Sequence, residues 1–497
     1  MNVDISTDNG VSWKILYTNV ANSGMVFWTV RDTQHLTNAC IFRVESTLNP
    51  AIFTRSVAFS IVSGVLPASL NMSKSVPFPY SPATTDYRLI SIPGTVDTIT
   101  LGSFVPGTQK VDWRAFTDNG LDSSFLTELN ENSTLTTAEG FWFVKKDTLK
   151  IANYTMHMPL LDTVQATVRL PLHDGWNIIA NPFNINLPWQ DVLALNRLSP
   201  VTQLMDYSGS YTSATTLEPF KGYYFFNDSG LTSLALPYPF GSVSSRRSAP
   251  SVAWSVQVSY SSETNSDPEN YFGIAPLAKA EKDELDSYKP PLFMDQGFLY
   301  FNHPEWNTRY PRFSSDYRPE IGDGQLWNFE VSNPRKVAGS VSFRGVENIP
   351  PDFRVVLINL YNAQPVDLRL HPEYHYAAVS PRMQFKILVG TKVFIDREIT
   401  KFLPQSYELV QNFPNPFNLS TAIQVRLPKE SRIRLDIYSI LGQHVKTLAE
   451  GEYAQGIFTF LWDGTDEHGQ IIASGVYLYR LLANGSAVQS KKMILAK

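Results

Sequence analysis

His371-Pro372-Glu373-Tyr374-His375 is the one place in the chain where two histidines flank a carboxylate at close spacing. A helical zinc site of the hydrolytic kind needs His at i and i+4 on one face, with Glu directly after the first His. Here Pro372 follows His371, Glu373 comes one place late, and the surroundings read as turn and strand. No metal is therefore expected. The acids Asp316, Glu320 and Asp323, the acids Glu263, Asp267 and Glu269, and Asp463, Asp466 and Glu467 offer oxygens of the type that binds calcium. None follows the Asp-x-Asp-x-Asp-Gly spacing of a calcium loop, and loop acids are mostly solvated. The expectation is no cofactor, with calcium the alternative kept. There is no Gly-x-Ser-x-Gly elbow, phosphate-binding loop or dinucleotide fingerprint, so no catalytic residue is nominated. A pair of glycosidase carboxylates stays open, because any acid-bearing β-fold supplies candidates. Trp142, Tyr223, Tyr224, Trp306 and Trp327 are of the type that stacks on sugar rings. Packing in strand cores is the simpler role for most of them.

The bulk properties narrow the classes further. The 497 residues carry a net charge of −5, and the basic pairs Lys145-Lys146, Arg246-Arg247 and Lys491-Lys492 form no stripe. A nucleic-acid partner is set aside on that ground. No apolar run is long enough for a membrane-spanning helix. The single cysteine, Cys40, lies in an alternating strand and reads as a small buried hydrophobe; no disulfide can form within the chain. Aromatic residues make up 13% of the chain, which favours strands.

The elements that must position any site are strands almost throughout. Residues 1–64 alternate between apolar and polar residues, as at Val3 to Ser6, Trp13 to Tyr17, Met25 to Val30, Cys40 to Val44 and Val57 to Ile61. They read as part of an immunoglobulin-like or fibronectin-like module. Within them Ser6-Thr-Asp8-Asn-Gly10-Val-Ser12-Trp13 resembles an Asp-box hairpin. Asp8 would cap turn amides, Gly10 would take positive φ and Trp13 would cover the hairpin. Sialidases carry this motif in several structural copies; a single copy reads as a staple of the fold.

Residues 65–82, rich in Pro and Ser, are expected to be a linker. Residues 83–240 contain an internal repeat. Tyr87-Arg-Leu-Ile90-Ser-Ile-Pro93 parallels Gly175-Trp-Asn-Ile-Ile179-Ala-Asn-Pro182, and Gly140-Phe-Trp142-Phe parallels Gly222-Tyr-Tyr224-Phe. Two such units should pack as one pseudo-symmetric β-domain, since neither can bury its apolar face alone. Pro188 to Leu193 suggests a short helix. Residues 241–250 read as a second linker, residues 251–398 as a jelly-roll-like sandwich, and Ala280 to Tyr288 as an exposed turn of helix.

Residues 405–497 are the most specific segment. Thr421 to Leu427, Ile433 to Ile437, Gly456 to Trp462 and Gly475 to Leu481 alternate with period two, and Gly442, Asp463-Gly464 and Gly469 supply turns. About seven short strands in a small antiparallel sandwich are predicted. The segment opens on Asn412-Phe413-Pro414-Asn415-Pro416-Phe417-Asn418. It continues with Leu441-Gly442, Trp462-Asp463-Gly464, Gly475-Val476-Tyr477 and Lys491-Lys492-Met493. In these motifs and their order it resembles the C-terminal, type A sorting domain of proteins exported by the type IX secretion system of Bacteroidota. Leu419 departs from that pattern, which usually has Pro there. A related immunoglobulin-like domain, with similar core motifs, occurs in the flagellar hook-capping protein.

The sorting resemblance implies passage across an outer membrane by way of the secretion machinery, then release or surface attachment. Since Met1 to Asp4 offers no signal peptide, an exported chain of this kind would be a fragment or carry a misassigned start. The reading is an all-β, multidomain, non-catalytic exported protein of tandem sandwich and immunoglobulin-like modules. Its partners would be the secretion machinery and surface glycans or proteins. The alternatives are the accessory part of a secreted hydrolase, or a set of carbohydrate-binding modules.

Overall fold

The computed structural model describes the chain except for residues 22–25, 27, 29–36, 57–58, 62–68, 122–124, 162–166, 240–250, 292–295, 378–379 and 497. The expected strand over Met25 to Val30 falls largely outside the described residues, and the expected linker 241–250 wholly so. The fold is all-β, built from antiparallel sheets, with two α-helices among the described residues. No described helix is long and apolar enough to cross a membrane. The chain forms two compact units, Met1–Pro250 with Ser287–Met294, and Ser251–Asp286 with Asp295–Lys497.

The first unit opens on a five-stranded sheet of Asn2–Ser6, Lys14–Tyr17, Thr37–Glu45, Phe53–Arg55 and Phe59–Ile61. Its first hairpin is closed by side chains. Ser6 Oγ accepts from the Gly10 amide at 2.7 Å, and Asp8 accepts from the Ser12 amide at 2.8 Å and from the Ser12 hydroxyl. Those bonds, from Ser12 above all, lower the Asp8 carboxyl to about 2. Gly10 sits at φ +89°. Trp13 lies beneath two guanidinium groups, Arg43 at 4.5 Å and Arg55 at 5.2 Å from its ring centre.

The repeat follows. Its first copy comprises Ser69–Val76 (β1), Arg88–Ile90 (β2), Trp113–Asp118 (β3), Leu126–Leu129 (β4), Phe141–Lys145 (β5) and Leu149–His157 (β6). Its second comprises Thr167–Pro171 (β7), Gly175–Ala180 (β8), Leu204–Tyr207 (β9), Tyr211–Ala214 (β10), Gly222–Asn227 (β11) and Ser233–Pro237 (β12). The first copy forms a sheet in the order β2-β5-β3-β4 and a ribbon β6-β1; the second forms β8-β11-β9-β10 and β12-β7. Adding six to each label converts one copy into the other. The second copy also carries a small ribbon, Leu187–Pro188 with Thr216–Leu217, and helix α1 (Trp189–Asn196), which starts just after Pro188.

The expectation of a linker over 65–82 is corrected here, because Ser69–Val76 is the first strand of the repeat. Its partner strand lies some eighty residues downstream, at Leu149–His157, so local composition hides the pairing.

The copies meet across a pseudo-twofold axis. Ile90 bridges Lys221, and Ile179 bridges Glu139, the equivalent pair. Ala138 and Phe220, the residues that turn the chain into each aromatic strand, share φ +67°. Gly140 and Gly222 lie on the axis. A Cβ on Gly140 would come within 2.8 Å of the Gly222 Cα and 2.7 Å of Ile178. Trp142 donates to the Tyr224 hydroxyl at 3.2 Å, and that hydroxyl donates to Asp118 at 3.0 Å. Trp142, Tyr223 and Tyr224 are thus core residues, and so is Trp327 in the second unit; none offers a ring to solvent. Trp306 is only half-buried.

In the second unit two six-stranded sheets face each other. One holds Trp254–Ser262, Tyr271–Ile274, Ser315–Arg318, Gly339–Arg344 and Glu373–Tyr376; the other holds Phe298–Asn302, Gly324–Ser332, Arg354–Asn359 and Arg382–Gly390. Trp327 joins them, 5.0 Å from Phe272 and 6.0 Å from Trp254 between ring centres. Helix α2 (Lys392–Thr400) lays Phe394 and Ile395 on Val356, Ile358 and Leu388. The charged stretch Ala280 to Tyr288 forms no helix, and both Asp286 and Tyr288 are buried.

Asp316 is not a solvated loop acid but the centre of a buried ionic cluster. His303 Nε2 lies 2.9 Å from Asp316 and Nδ1 2.7 Å from Glu305. Ionised carboxylates only accept, so the ring donates from both nitrogens and is cationic. Arg318 pairs with the other Asp316 oxygen at 2.7 Å, and Trp306 stacks on the imidazole at 3.7 Å. Burial alone would lower the His303 value; the bonds and charges of Asp316 and Glu305 outweigh it and hold it above the ordinary range. Asp286 accepts from the Tyr317 and Asp283 amides, yet burial pushes its carboxyl up to about 7.

Two predictions follow from this packing. Both groups are raised on folding, so each stabilises most below its unfolded value and less as pH rises. The Asp286 contribution should fade from about pH 4 upward, and the His303 contribution above about pH 6.5. Hydrogen-exchange protection of the Trp327 and Phe329 amides should therefore decline from pH 5 to 8. Asp286→Asn should flatten the lower part of the curve and His303→Gln the upper; protection that rises over this range would contradict the assignment. Separately, Gly140→Ala should cost about 1–3 kcal/mol of stability in the repeat, because the Gly222 backbone as well as the Ile178 side chain blocks the new methyl. The same change at the exposed Gly230, which faces open space but has positive φ, should cost only about 1 kcal/mol.

Candidate functional site

The last module is made of Glu408–Leu409 (β13), Thr421–Leu427 (β14), Ser431–Ser439 (β15), His444–Tyr453 (β16), Gly456–Trp462 (β17), Gly475–Ala483 (β18) and Ser486–Leu495 (β19). One sheet runs β13-β14-β17 and the other β16-β15-β18-β19. Period-two alternation places Ile423, Val425 and Leu427 of β14 against Ile433, Leu435 and Ile437 of β15, with Trp462, Tyr479 and Leu481 completing the core.

Strand register decides what lies together. Thr421 pairs with Trp462, Ser439 with Tyr477, and Gly475 with Leu495. The segment 411–420, the Leu441-Gly442 turn, Trp462 to Gly464, Gly475 to Tyr477 and the end of β19 therefore share one pole of the sandwich. The opposite pole holds the turns at 428–430, 454–455 and 484–485 and the entering residue Tyr407, whose hydroxyl meets Ser431 at 2.7 Å.

The opening motif forms a strap across the end of β19. Gln411 donates to the Lys492 carbonyl at 2.9 Å, Asn415 accepts from the Ile494 amide at 2.9 Å, and the Phe417 amide donates to the Ile494 carbonyl at 3.0 Å. The Ala496 amide returns a bond to the Phe417 carbonyl at 2.8 Å. Asn412 is buried. Its side chain donates to Thr421 at 2.9 Å and to the Pro414 carbonyl at 3.2 Å, and its own amide donates to the Tyr479 hydroxyl at 2.9 Å. Pro414 and Pro416 each follow a cis peptide bond.

Phe417 then packs on Trp462 at 5.5 Å, and Trp462 on Tyr477 at 5.4 Å. The Trp462 indole donates to the Thr465 carbonyl at 2.9 Å, closing the Trp462-Asp463-Gly464 turn, where Gly464 sits at φ +70°. Asp463 accepts from the Thr465 hydroxyl at 2.6 Å and from Lys446 at 3.3 Å, and these contacts, Thr465 first, hold its carboxyl below the usual range. Not every motif residue is structural. Leu441 is 84% exposed beside Gly442 at φ +82°. Lys491 and Lys492 stand on opposite faces of β19, facing Tyr479 and Leu478 respectively in register. Gly475 and Val476 simply start β18.

One feature of this module escapes simple alternation. Asp436 occupies an outward position of β15, yet only 2% of it is exposed. It accepts from Arg434 at 2.9 Å, Thr447 at 2.8 Å, Tyr438 at 3.2 Å and His444 at 3.3 Å. Burial alone would raise its carboxyl; the bonds from Arg434, Thr447 and His444 hold it below its ordinary value. The spacing Arg434-x-Asp436-x-Tyr438, which puts all three on one face, is the signal in the sequence that could have found it.

The metal candidates are not gathered. Glu373 and His375 share one strand, 3.6 Å apart and exposed, while His371 lies in the preceding turn. Among the described residues no three His, Cys, Asp or Glu side chains form a group that could hold a metal ion.

Residues 417–486 match the family model of the FlgD Ig-like domain, which spans β14 to β18. No curated protein matches the chain. Three solved structures show a distant likeness. The PorZ surface component of the type IX secretion system of Porphyromonas gingivalis is 12% identical over 25% of this chain and 15% of its own, with a TM-score of 0.14. Dimeric latent PorU of the same organism is 11% identical over 82% of this chain and 34% of its own, with a TM-score of 0.17. The alkylpurine DNA glycosylase AlkC of Pseudomonas fluorescens is 14% identical over 18% of this chain and 30% of its own, with a TM-score of 0.14. The chain thus spans at most 34% of the length of these three proteins.

The geometry separates two kinds of motif residue. Asn412→Ala should remove the donor to the Thr421 hydroxyl, while the Pro414 carbonyl keeps its bond from Thr421, and should destabilise the module by about 1–3 kcal/mol. The amides of Phe417 and Ala496 should lose exchange protection with it. Leu441→Ala and Lys492→Ala should change stability by no more than about 0.5 kcal/mol. A fold equally sensitive at all three positions in denaturant titrations would overturn this division.

Proposed function

We propose that the chain is part of a modular exported protein without a reaction centre of its own, and that its last module is a sorting signal read by an outer-membrane secretion apparatus. The observation that carries this reading is the gathering of sequence-distant motif residues at one pole of an immunoglobulin-like module. Residues 411–417, Leu441-Gly442 and Trp462 to Gly464 are remote in sequence, yet register brings them to one end. A pole that served folding alone would have no use for Leu441 in solvent. The upstream sandwiches would act as carriers of surface at the cell exterior, with protein or glycan targets, and with neither metal nor organic cofactor.

The test is export from a host that has a type IX apparatus, with the chain placed behind a leader peptide. Removing residues 405–497 should leave the upstream unit folded and confined to the periplasm. Leu441→Asp should keep the melting profile of the module but reduce export severalfold. Full export of the truncated chain would refute the proposal.

A further inference from the structure

Each of the two sheets of the last module has two edges, and an edge strand with unpaired backbone groups invites another strand unless it is guarded. Three of the four edges are guarded. The edge of β19 is strapped by residues 411–417, carries Lys491 and Lys492, and is interrupted by a bulge opposite Leu481 and Leu482. The edge of β16 carries Lys446, Glu450 and Glu452, has two register shifts against β15, and is capped by Glu467, whose amide donates to the Val445 carbonyl. The edge of β13 is two residues long, and the Leu409 amide is taken by Gln489.

The fourth edge, β17, carries none of these devices in its own sequence; its first half lies against the segment at 361–364, where the Tyr361 hydroxyl meets the Thr459 hydroxyl at 3.0 Å. It reads Gly456-Ile-Phe-Thr-Phe-Leu-Trp462, with no charge, no proline and an unbroken register against β14. The ladder shows which groups point away from β14. Gln424 and Ala422 turn their backbone groups toward the other side, to Val410 and Phe413, so their opposite numbers Thr459 and Leu461 face outward. Ile457 has the same parity, and its amide is already taken by the Asn362 carbonyl at 2.8 Å. Thr459 and Leu461 make no such backbone bond. Leu461 is 72% exposed, and Phe458 and Phe460 are only half-buried, with Tyr453 as their ring neighbour at 5.0 and 5.7 Å.

We propose that the edge of β17 at Thr459–Leu461 is a docking site for an extended, uncharged strand of a partner polypeptide, which adds to the sheet beyond the point where Asn362 leaves off. The occupant follows from the chemistry of the edge. The backbone groups of Thr459 and Leu461 call for main chain, the half-covered aromatic seam of Tyr453, Phe458 and Phe460 calls for apolar side chains, and nothing on the edge pairs with a charge. Asn362 shows that the edge already accepts main chain from outside its own sheet. Phe458 and Phe460 pack at the rim of the core that Trp462, Ile423 and Val425 fill, and they stay half-exposed there.

The test uses the full chain and a blocked hexapeptide of alternating valine and threonine, with a proline-interrupted peptide as control. Saturating peptide should raise the exchange protection of the Thr459 and Leu461 amides at least about tenfold and leave Ile457 unchanged. Leu461→Lys, at an exposed position, should keep the melting profile and abolish the effect, as a charge does on guarded edges. Thr459→Pro removes an amide outside the β14 ladder and should abolish it too. No added protection in the unsubstituted chain, or equal protection in Leu461→Lys, would overturn the proposal. Protection that rises with protein concentration in the absence of peptide would assign the edge to a second copy of the chain and overturn it likewise.

Discussion

Every sheet in this chain ends in backbone groups that need a partner, and the architecture is organised around that constraint. In the repeat the solution is internal. The edges of the two four-stranded sheets meet across the axis, where Ile90 bridges Lys221 and Glu139 bridges Ile179. That closure is available only because Gly140 and Gly222 let two aromatic strands approach to backbone contact. In the last module the solution is a strap, in which the opening motif runs along the end of β19 and borrows Asn415 and Phe417 as surrogate ladder partners.

This gives the Asn412-to-Phe417 motif a physical meaning separate from any recognition. Asn412 adds hydrogen bonds to Thr421 at the start of β14 and to the Tyr479 hydroxyl of β18, and Phe417 covers Trp462. The strap ties β14 to the end of β19 at this pole, and the exposed Leu441 turn closes on itself through Ser439, Gly442 and Gln443. Packed and solvent-facing motif residues are thus neighbours at one end of a single immunoglobulin-like module.

The sandwich upstream shows a different use of polar residues. His303, Asp316, Arg318 and Glu305 form an ionic cluster under Trp306, with Asp286 nearby. Such clusters cost desolvation and specify geometry more than they stabilise. Here the cluster ties the loop after Phe298–Asn302 to Ser315–Arg318 in the facing sheet, and its titration makes that tie depend on pH.

Much of the fold was legible in the sequence for a simple reason: an antiparallel strand with one buried face writes its period directly into the chain. Thr421 to Leu427 and Ile433 to Ile437 are strands because no other regular structure puts every second apolar residue on one face. Turn residues such as Gly442 and Gly464, and the duplication around Gly140 and Gly222, are local or self-similar signals of the same kind. Ser69–Val76 was hidden because its partner is remote and its own residues are mostly polar. The burial of Asp316 and Asp436 was hidden because burial depends on what another strand brings opposite. The sequence by itself determined most of the strands, their turns and the repeat, since these depend largely on residues within a few positions of one another. Only the tertiary structure decided the order of strands in each sheet and the joining of the motifs at one pole, because strand order and register are set by contacts between residues far apart in the chain.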